Sequence, residues 1–152
     1  MRKTKNNIVY ANMHGSAEYA SIHGKVLFEQ LKKGVLVTAE IHGLPAENNK
    51  CSDRIFGFHV HEGGRCGDDK ENPFADAKGH YNPRGCNHPF HAGDLPPLFG
   101  NDGYAYLSVF TNRFNVDEIV GRTVIIHEMP DDFKTQPGGD SGARIACGVI
   151  VH

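Results

Sequence analysis

The sequence predicts an all-β fold, an antiparallel sandwich or barrel, on three observations. Most apolar segments alternate with a period of two. No window carries an apolar stripe of helical period over helix length. Glycine and proline, 18 and 8 of 152 residues, cut the chain into short runs. Several short strands separated by long loops fit a sandwich or barrel.

Each element follows from its own pattern. In VLVTAEIH, Val35, Val37, Ala39 and Ile41 share one side. In FGFHVHE, Phe56, Phe58 and Val60 face the core side, and His59 and His61 face the other. YAYLSVF places Ala105, Leu107 and Val109 together, and RTVIIHE sets Val124 and Ile126 against Ile125 and His127. ARIACGVIV ends the chain in the same way. The stretches Gly63–Pro73, Asn82–Leu98 and Pro130–Gly142 are polar and turn-rich and read as loops. Loops of that length in a small domain are functional or disordered, and these lie among the histidines.

Composition bounds the rest. One domain over residues 1–152 is expected, with 1–19 as an N-terminal extension. The net charge of −2 gives no basic excess for nucleic acid, and no stretch approaches the roughly 20 apolar residues of a membrane span. MRKTKNNIVYANM lacks the apolar core of a signal peptide, so the expected location is cytoplasmic, or periplasmic or extracellular after processing. Four cysteines, Cys51, Cys66, Cys86 and Cys147, allow three full pairings, and sequence does not choose among them.

Of 10 histidines, six lie between Phe58 and His127. Neutral imidazole is the commonest metal ligand near pH 7. His59 and His61 share one strand face and could share one ion; alone, such a pair more often sits on a polar surface. GHYNPRGCNHPFHAGD adds His80, His88, His91 and Asp94, three imidazoles and a carboxylate that complete a tetrahedral zinc shell if the loop folds back. His127, at the end of an apolar strand, is a ligand candidate only in that company. Six histidines and one aspartate exceed one tetrahedral ion. Two adjacent ions sharing one imidazole resolve the excess, with nitrogen-rich open coordination suiting Cu(II) and a closed His/Asp set suiting zinc.

The motifs GFHVHE, GHYNP, HAGDL, GRTVIIHE and GARIACGV, in that order, resemble the copper/zinc superoxide dismutase family from about Ile22 to Val151, its bacterial members above all. The resemblance implies an eight-stranded antiparallel Greek-key barrel of immunoglobulin-like sandwich type with long metal-binding loops. It implies copper on His59, His61, His80 and His127, and zinc on His80, His88, His91 and Asp94, with His80 bridging. It also implies Asp131 as a carboxylate orienting ligands of both ions, Arg144 as the anion-guiding cation, and a Cys66–Cys147 disulfide. The implied reaction disproportionates superoxide to oxygen and hydrogen peroxide through Cu(II)/Cu(I) cycling, with His80 as proton carrier beside Arg144. Superoxide is the implied partner, and a homodimer is expected because family members are often dimers.

Differences from the family are a short His88–His91 segment, a short Pro130–Gly142 loop, and the inserted AENNKCSDRI. Cys51 and Cys86 match no family role, and Lys134 reads as a solvated lysine rather than part of the steering field. Two other readings fit parts of the pattern. A non-enzymatic copper/zinc-binding relative would have lost a copper ligand or the arginine, and this chain keeps them. A zinc hydrolase would need a general base near HVHE, but Glu62 adjoins His61 and so points away along a strand.

Overall fold

The computed structural model describes residues 7–47, 51, 54–68 and 71–152. Its strands are β1 (Ile8–Gly15), β2 (His23–Gln30), β3 (Val35–His42), β4 (Ile55–Phe56), β5 (Phe58–His61), β6 (Leu98–Phe99), β7 (Ala105–Thr111), β8 (Thr123–His127) and β9 (Arg144–Val151). The single α-helix among the described residues, α1 (Val116–Ile119), is one turn long, and no helix is long and apolar enough to cross a membrane.

Seven strands form one antiparallel sheet in the order β5-β8-β9-β1-β2-β3-β7. β4 and β6 pair separately. β4 runs into β5 across Gly57 and β6 lies beside β7, so this ribbon stands between the two edges of the curled sheet. The connections from β3, by way of β4, to β5 and from β7 to β8 carry the chain between distant parts of the strand order, as a Greek key requires. The expected antiparallel Greek-key architecture is present, with nine strands among the described residues rather than eight, divided into seven and two.

The alternation places the core where the pattern predicts. Val35, Val37, Ala39 and Ile41 of β3 are fully buried, as are Phe56, Phe58, Val60, Val124 and Ile126. Each such Phe or Ile contributes about 1.5–3 kcal/mol relative to exposure. Among the described residues all three predicted loops are irregular in structure, although Leu98 opens β6, and residues 69–70 of the first loop lie outside the described residues.

The N-terminal region differs from expectation. Residues 8–15, read as part of an extension, form β1, hydrogen-bonded between β2 and β9. Val9, Ala11 and Met13 alternate inward and are buried, so this segment belongs to the sheet itself. Residues 1–6 of that extension, and 48–50 and 52–53 of the insertion, lie outside the described residues.

One region of the sheet is covered on both faces. Every residue of β5 and β8 is buried. Core packing explains Val60, Val124 and Ile126. On the outer side, Ile125 and Cys147 pack with Phe74, Ala77 and Cys66, the last bonded to Cys147 across a Cα–Cα distance of 5.8 Å. That outer layer supports the metal-ligand candidates.

Candidate metal centre

Register decides which side chains meet. His59 lies opposite Ile125, and His61 opposite Thr123. Directly opposed residues share a face, so both histidines join the outer layer. His127 follows a register shift between β8 and β9 at Ile126/His127, and such bulges re-aim side chains at strand ends.

β5 is an edge strand, and backbone from the His80–Asp94 loop occupies its free edge. Tyr81 N–H donates to Val60 O, Val60 N–H to Gly93 O, and Glu62 N–H to Gly79 O, each at 2.9 Å. This lacing sets His80 against His61 and Asp94 against His59. Gly93 is required by the close approach: a Cβ there would stand 2.2 Å from Val60 O. The HAGD motif thus places its aspartate by letting two backbones touch.

Two donor groups result. His59, His61, His80 and His127 form the first, and His80, His88, His91 and Asp94 the second; within each, candidate ligand atoms lie within 4.8 Å of one another. His80 alone belongs to both sets of four. Its Nδ1 is 2.8 Å from Asp94 Oδ1 and 3.2 Å from His91 Nδ1, while its ring centroid is 4.1 Å from that of His59.

Hydrogen bonds fix four of the rings. His61 Nδ1 donates to Lys78 O at 2.8 Å, and His127 Nδ1 to Gly142 O at 3.3 Å. Carbonyls only accept, so both protons sit on Nδ1. The two Nε2 lone pairs then face each other at 3.2 Å. Asp131 accepts from His59 Nε2 at 2.9 Å and His88 Nε2 at 2.7 Å. That leaves Nδ1 of His59 and of His88 buried without a hydrogen bond. Asp94 Oδ2 is 3.0 Å from His88 Nδ1 but out of hydrogen-bonding line, one lone pair beside another.

Opposed lone pairs in a buried site are unfavourable unless a cation lies between them. Ligand atoms of a tetrahedral zinc with bonds near 2.0 Å stand about 3.3 Å apart, which matches these separations. The donor chemistry fits both ions: all nitrogen in the first set, a closed His/Asp shell in the second.

Electrostatics agree. Burial lowers the His59 pKa to about 4. Burial, followed by repulsion from neighbouring imidazoles, holds His61 and His127 well below the ordinary value. Burial also lowers His91. Burial works to raise Asp94, but hydrogen bonding and charge from His80, with help from His88, lower it. Asp131 is held far below the usual carboxylate range, where bonds from His59, His88 and the Phe133 N–H overcome its burial. Burial therefore favours the neutral form of His59, His61, His91 and His127, and the site favours ionised Asp94 and Asp131, as metal binding requires.

A channel lined by His61, His80, His127, Gln136, Gly142 and Arg144 opens beside the first set. Arg144 is the only Lys or Arg among its described lining residues, with Glu62 and Asp140 as the acids. Its Nη1 donates to Phe74 O at 2.8 Å, and its Nη2 to Lys78 O. Burial lowers its pKa from the ordinary value. Lys134 is exposed and not among the lining residues, in keeping with a solvated side chain. Cys86 is a half-buried free thiol whose backbone is bonded to the Asn82 side chain, and Cys51 is exposed.

Every ligand candidate named from the sequence is at the centre. The carbonyls of Lys78 and Gly142, and the side chains of Gln136 and Arg113, were not foreseen. Backbone acceptors carry no sequence signal, and a lone Gln or Arg in a loop carries almost none.

Comparison with known proteins agrees with this geometry. The family model described as copper/zinc superoxide dismutase matches residues 22–150. The chain is 35% identical over 142 residues to "Superoxide dismutase [Cu-Zn] 2" of Aquifex aeolicus, covering 84% of this chain and 78% of that protein. It is 34% identical over 148 residues to "Superoxide dismutase [Cu-Zn]" of Deinococcus radiodurans, covering 85% and 77%. It is also 39% identical over 112 residues to "Superoxide dismutase-like protein YojM" of Bacillus subtilis, covering 62% and 55%.

Proposed function

The chain belongs to the copper/zinc superoxide dismutase family, and from that premise we propose that it disproportionates two superoxide anions to oxygen and hydrogen peroxide. The observation that carries the proposal is the pair of donor sets sharing His80, with Arg144 lining the channel beside the first. Bound copper would supply the one-electron Cu(II)/Cu(I) couple, beside a redox-inert zinc. His59, His61, His80 and His127 are the residues to hold copper, and His80, His88, His91 and Asp94 the residues to hold zinc.

The chain's own groups do the rest. Asp131, fixed between His59 and His88, keeps the Nδ1 lone pair of each ring aimed at its metal position. Lys78 O and Gly142 O do the same for Nε2 of His61 and His127. His80, with Nδ1 committed to the zinc set, is the ring placed to carry a proton at its other nitrogen.

Arg144 binds and orients the anion. Two of the five guanidinium N–H groups hold Phe74 O and Lys78 O; among the described residues the other three meet no protein acceptor and are left for superoxide. With a net charge of −2, the molecule needs this local cation to draw an anion inward.

We also propose a homodimer. Tyr106 and Phe110, 58% and 51% exposed on β7, and Phe99, 63% exposed on β6, supply an outward apolar surface that supports it. Sedimentation should give twice the 16.7 kDa chain mass.

The deciding test is superoxide dismutation by protein loaded with copper and zinc, against His59→Ala. Fast activity that needs copper and is lost in the variant is expected. Full copper loading with no activity would make the chain a metal-binding relative.

A further inference from the structure

We infer that Gln136 is a positioning residue for zinc binding, holding the short ligand segment from outside the ligand set. This rests on the reading of His80, His88, His91 and Asp94 as the zinc site.

The observation is the backbone of His88. The residue is 2% exposed, so its N–H and C=O need partners. Among the described residues both are satisfied by one side chain. His88 N–H donates to Gln136 Oε1 at 2.8 Å, and Gln136 Nε2 donates to His88 O at 2.8 Å. The amide thus pairs with His88 as a neighbouring strand would. The same Nε2 also reaches Lys134 O at 3.1 Å, which ties the clamp to its own loop.

The other backbone bonds within the segment are short-range: Phe90 N–H donates to Asn87 O at 2.7 Å and His91 N–H to Asp94 Oδ2 at 2.9 Å. Only two residues separate His88 from His91, and Pro89 has no N–H to give. Arg113 grips the other flank, its Nη1 donating to Pro89 O at 2.7 Å and His91 O at 3.3 Å. Gln136 and Asp131 lie in one loop, so a single loop fixes both the His88 backbone and its ring. Losing Gln136 strands a buried donor and acceptor, lets the segment drift and costs zinc affinity. Partners that orient ligands in this way are worth about 10–100-fold in metal affinity.

The test uses metal-free full chain titrated with Zn(II) against a chromogenic chelator. Gln136→Met keeps the side chain's bulk and removes both hydrogen bonds; His91→Ala removes a ligand. Gln136→Met should bind zinc about 10–100-fold more weakly, with Cu(II) affinity of the His59/His61/His127 group close to wild type. Zinc affinity within about threefold of wild type overturns the inference and leaves the zinc-site reading standing. So does an equal loss of zinc and copper affinity, which would mark general loosening. Wild-type protein that binds no zinc, or His91→Ala that binds as wild type does, brings down the zinc-site reading itself.

Discussion

Removing the disulfide should cost stability and disturb the channel together. Cys66 and Cys147 are separated by 81 positions. In the chain-entropy account, closing such a loop restricts the unfolded state by about 4.5 kcal/mol at 25 °C. Cys147 is fully buried against Phe74, Ala77 and Ile125, so Cys66→Ala with Cys147→Ala, rather than serine, avoids adding a buried hydroxyl. At about 2–4 °C per kcal/mol for a chain of this size, the melting temperature should fall by roughly 9–18 °C.

The functional consequence follows from what the bridged segment holds. Phe74 O and Lys78 O fix the Arg144 guanidinium, and Lys78 O also fixes the His61 tautomer. With the bridge gone, both lose a rigid support. The assay is calorimetry on the double variant and on wild type under reducing and oxidising conditions, followed by dismutation at low and moderate salt. A melting temperature within about 2 °C of wild type would refute the entropic reasoning. Lower stability with unchanged activity and salt dependence would refute the coupling to Arg144.

Three other outcomes are expected. Asp131→Asn gives the two ring N–H donors only one oxygen to share, so zinc affinity should drop about 10–100-fold in a chelator competition; unchanged affinity would show that Asp131 does not orient His88. Gly139→Ala should unfold the site, because a Cβ there lies 2.1 Å from Asp131 Oδ1 and 2.6 Å from His88 Nε2 on a backbone with φ +73°, whereas at Gly138 the nearest atom is 3.6 Å away. A loss of about 1–3 kcal/mol is expected for the first, and similar melting temperatures for both alanine variants would contradict it. Metal-free protein should lose stability on acidification. The His59 pKa is lowered to about 4, so the unfolded chain takes up the proton first as pH falls from 6.5. The stabilisation present above pH 6.5 is lost by about pH 4, roughly 3 kcal/mol for this residue alone. His61 and His127 shift the same way. Asp131, lowered instead, keeps its contribution above the ordinary carboxylate pKa and loses it in stronger acid. Denaturant midpoints that stay flat from pH 7.5 to 4.5 would count against neutral buried histidines.

What the sequence revealed and what it hid divide along physical lines. Side chains with a strict period or a metal-binding chemistry were legible: the β3 alternation, the two faces of FHVH, the histidines and Asp94. β1 was not, because Val9, Ala11 and Met13 form a thin stripe among Tyr10, Asn12 and His14, and tertiary pairing with β2 and β9 makes the strand. The family model's match begins at residue 22, past this strand. FGFHVHE reads as one strand but breaks at Gly57, whose N–H turns to Met129 O and whose carbonyl accepts from His127 N–H. That exchange ties the start of β5 to the end of β8, the two strand ends that carry His59 and His127. The ligands were readable because coordination chemistry restricts residue type. The aim of His59 and His88 was legible through Asp131, but that of His61 and His127 was not, because it is set by backbone carbonyls of Lys78 and Gly142, which carry no sequence signal. Substitution at Lys78 or Gly142 therefore acts on the centre through backbone placement, and inspection of ligand residues alone would not detect such damage.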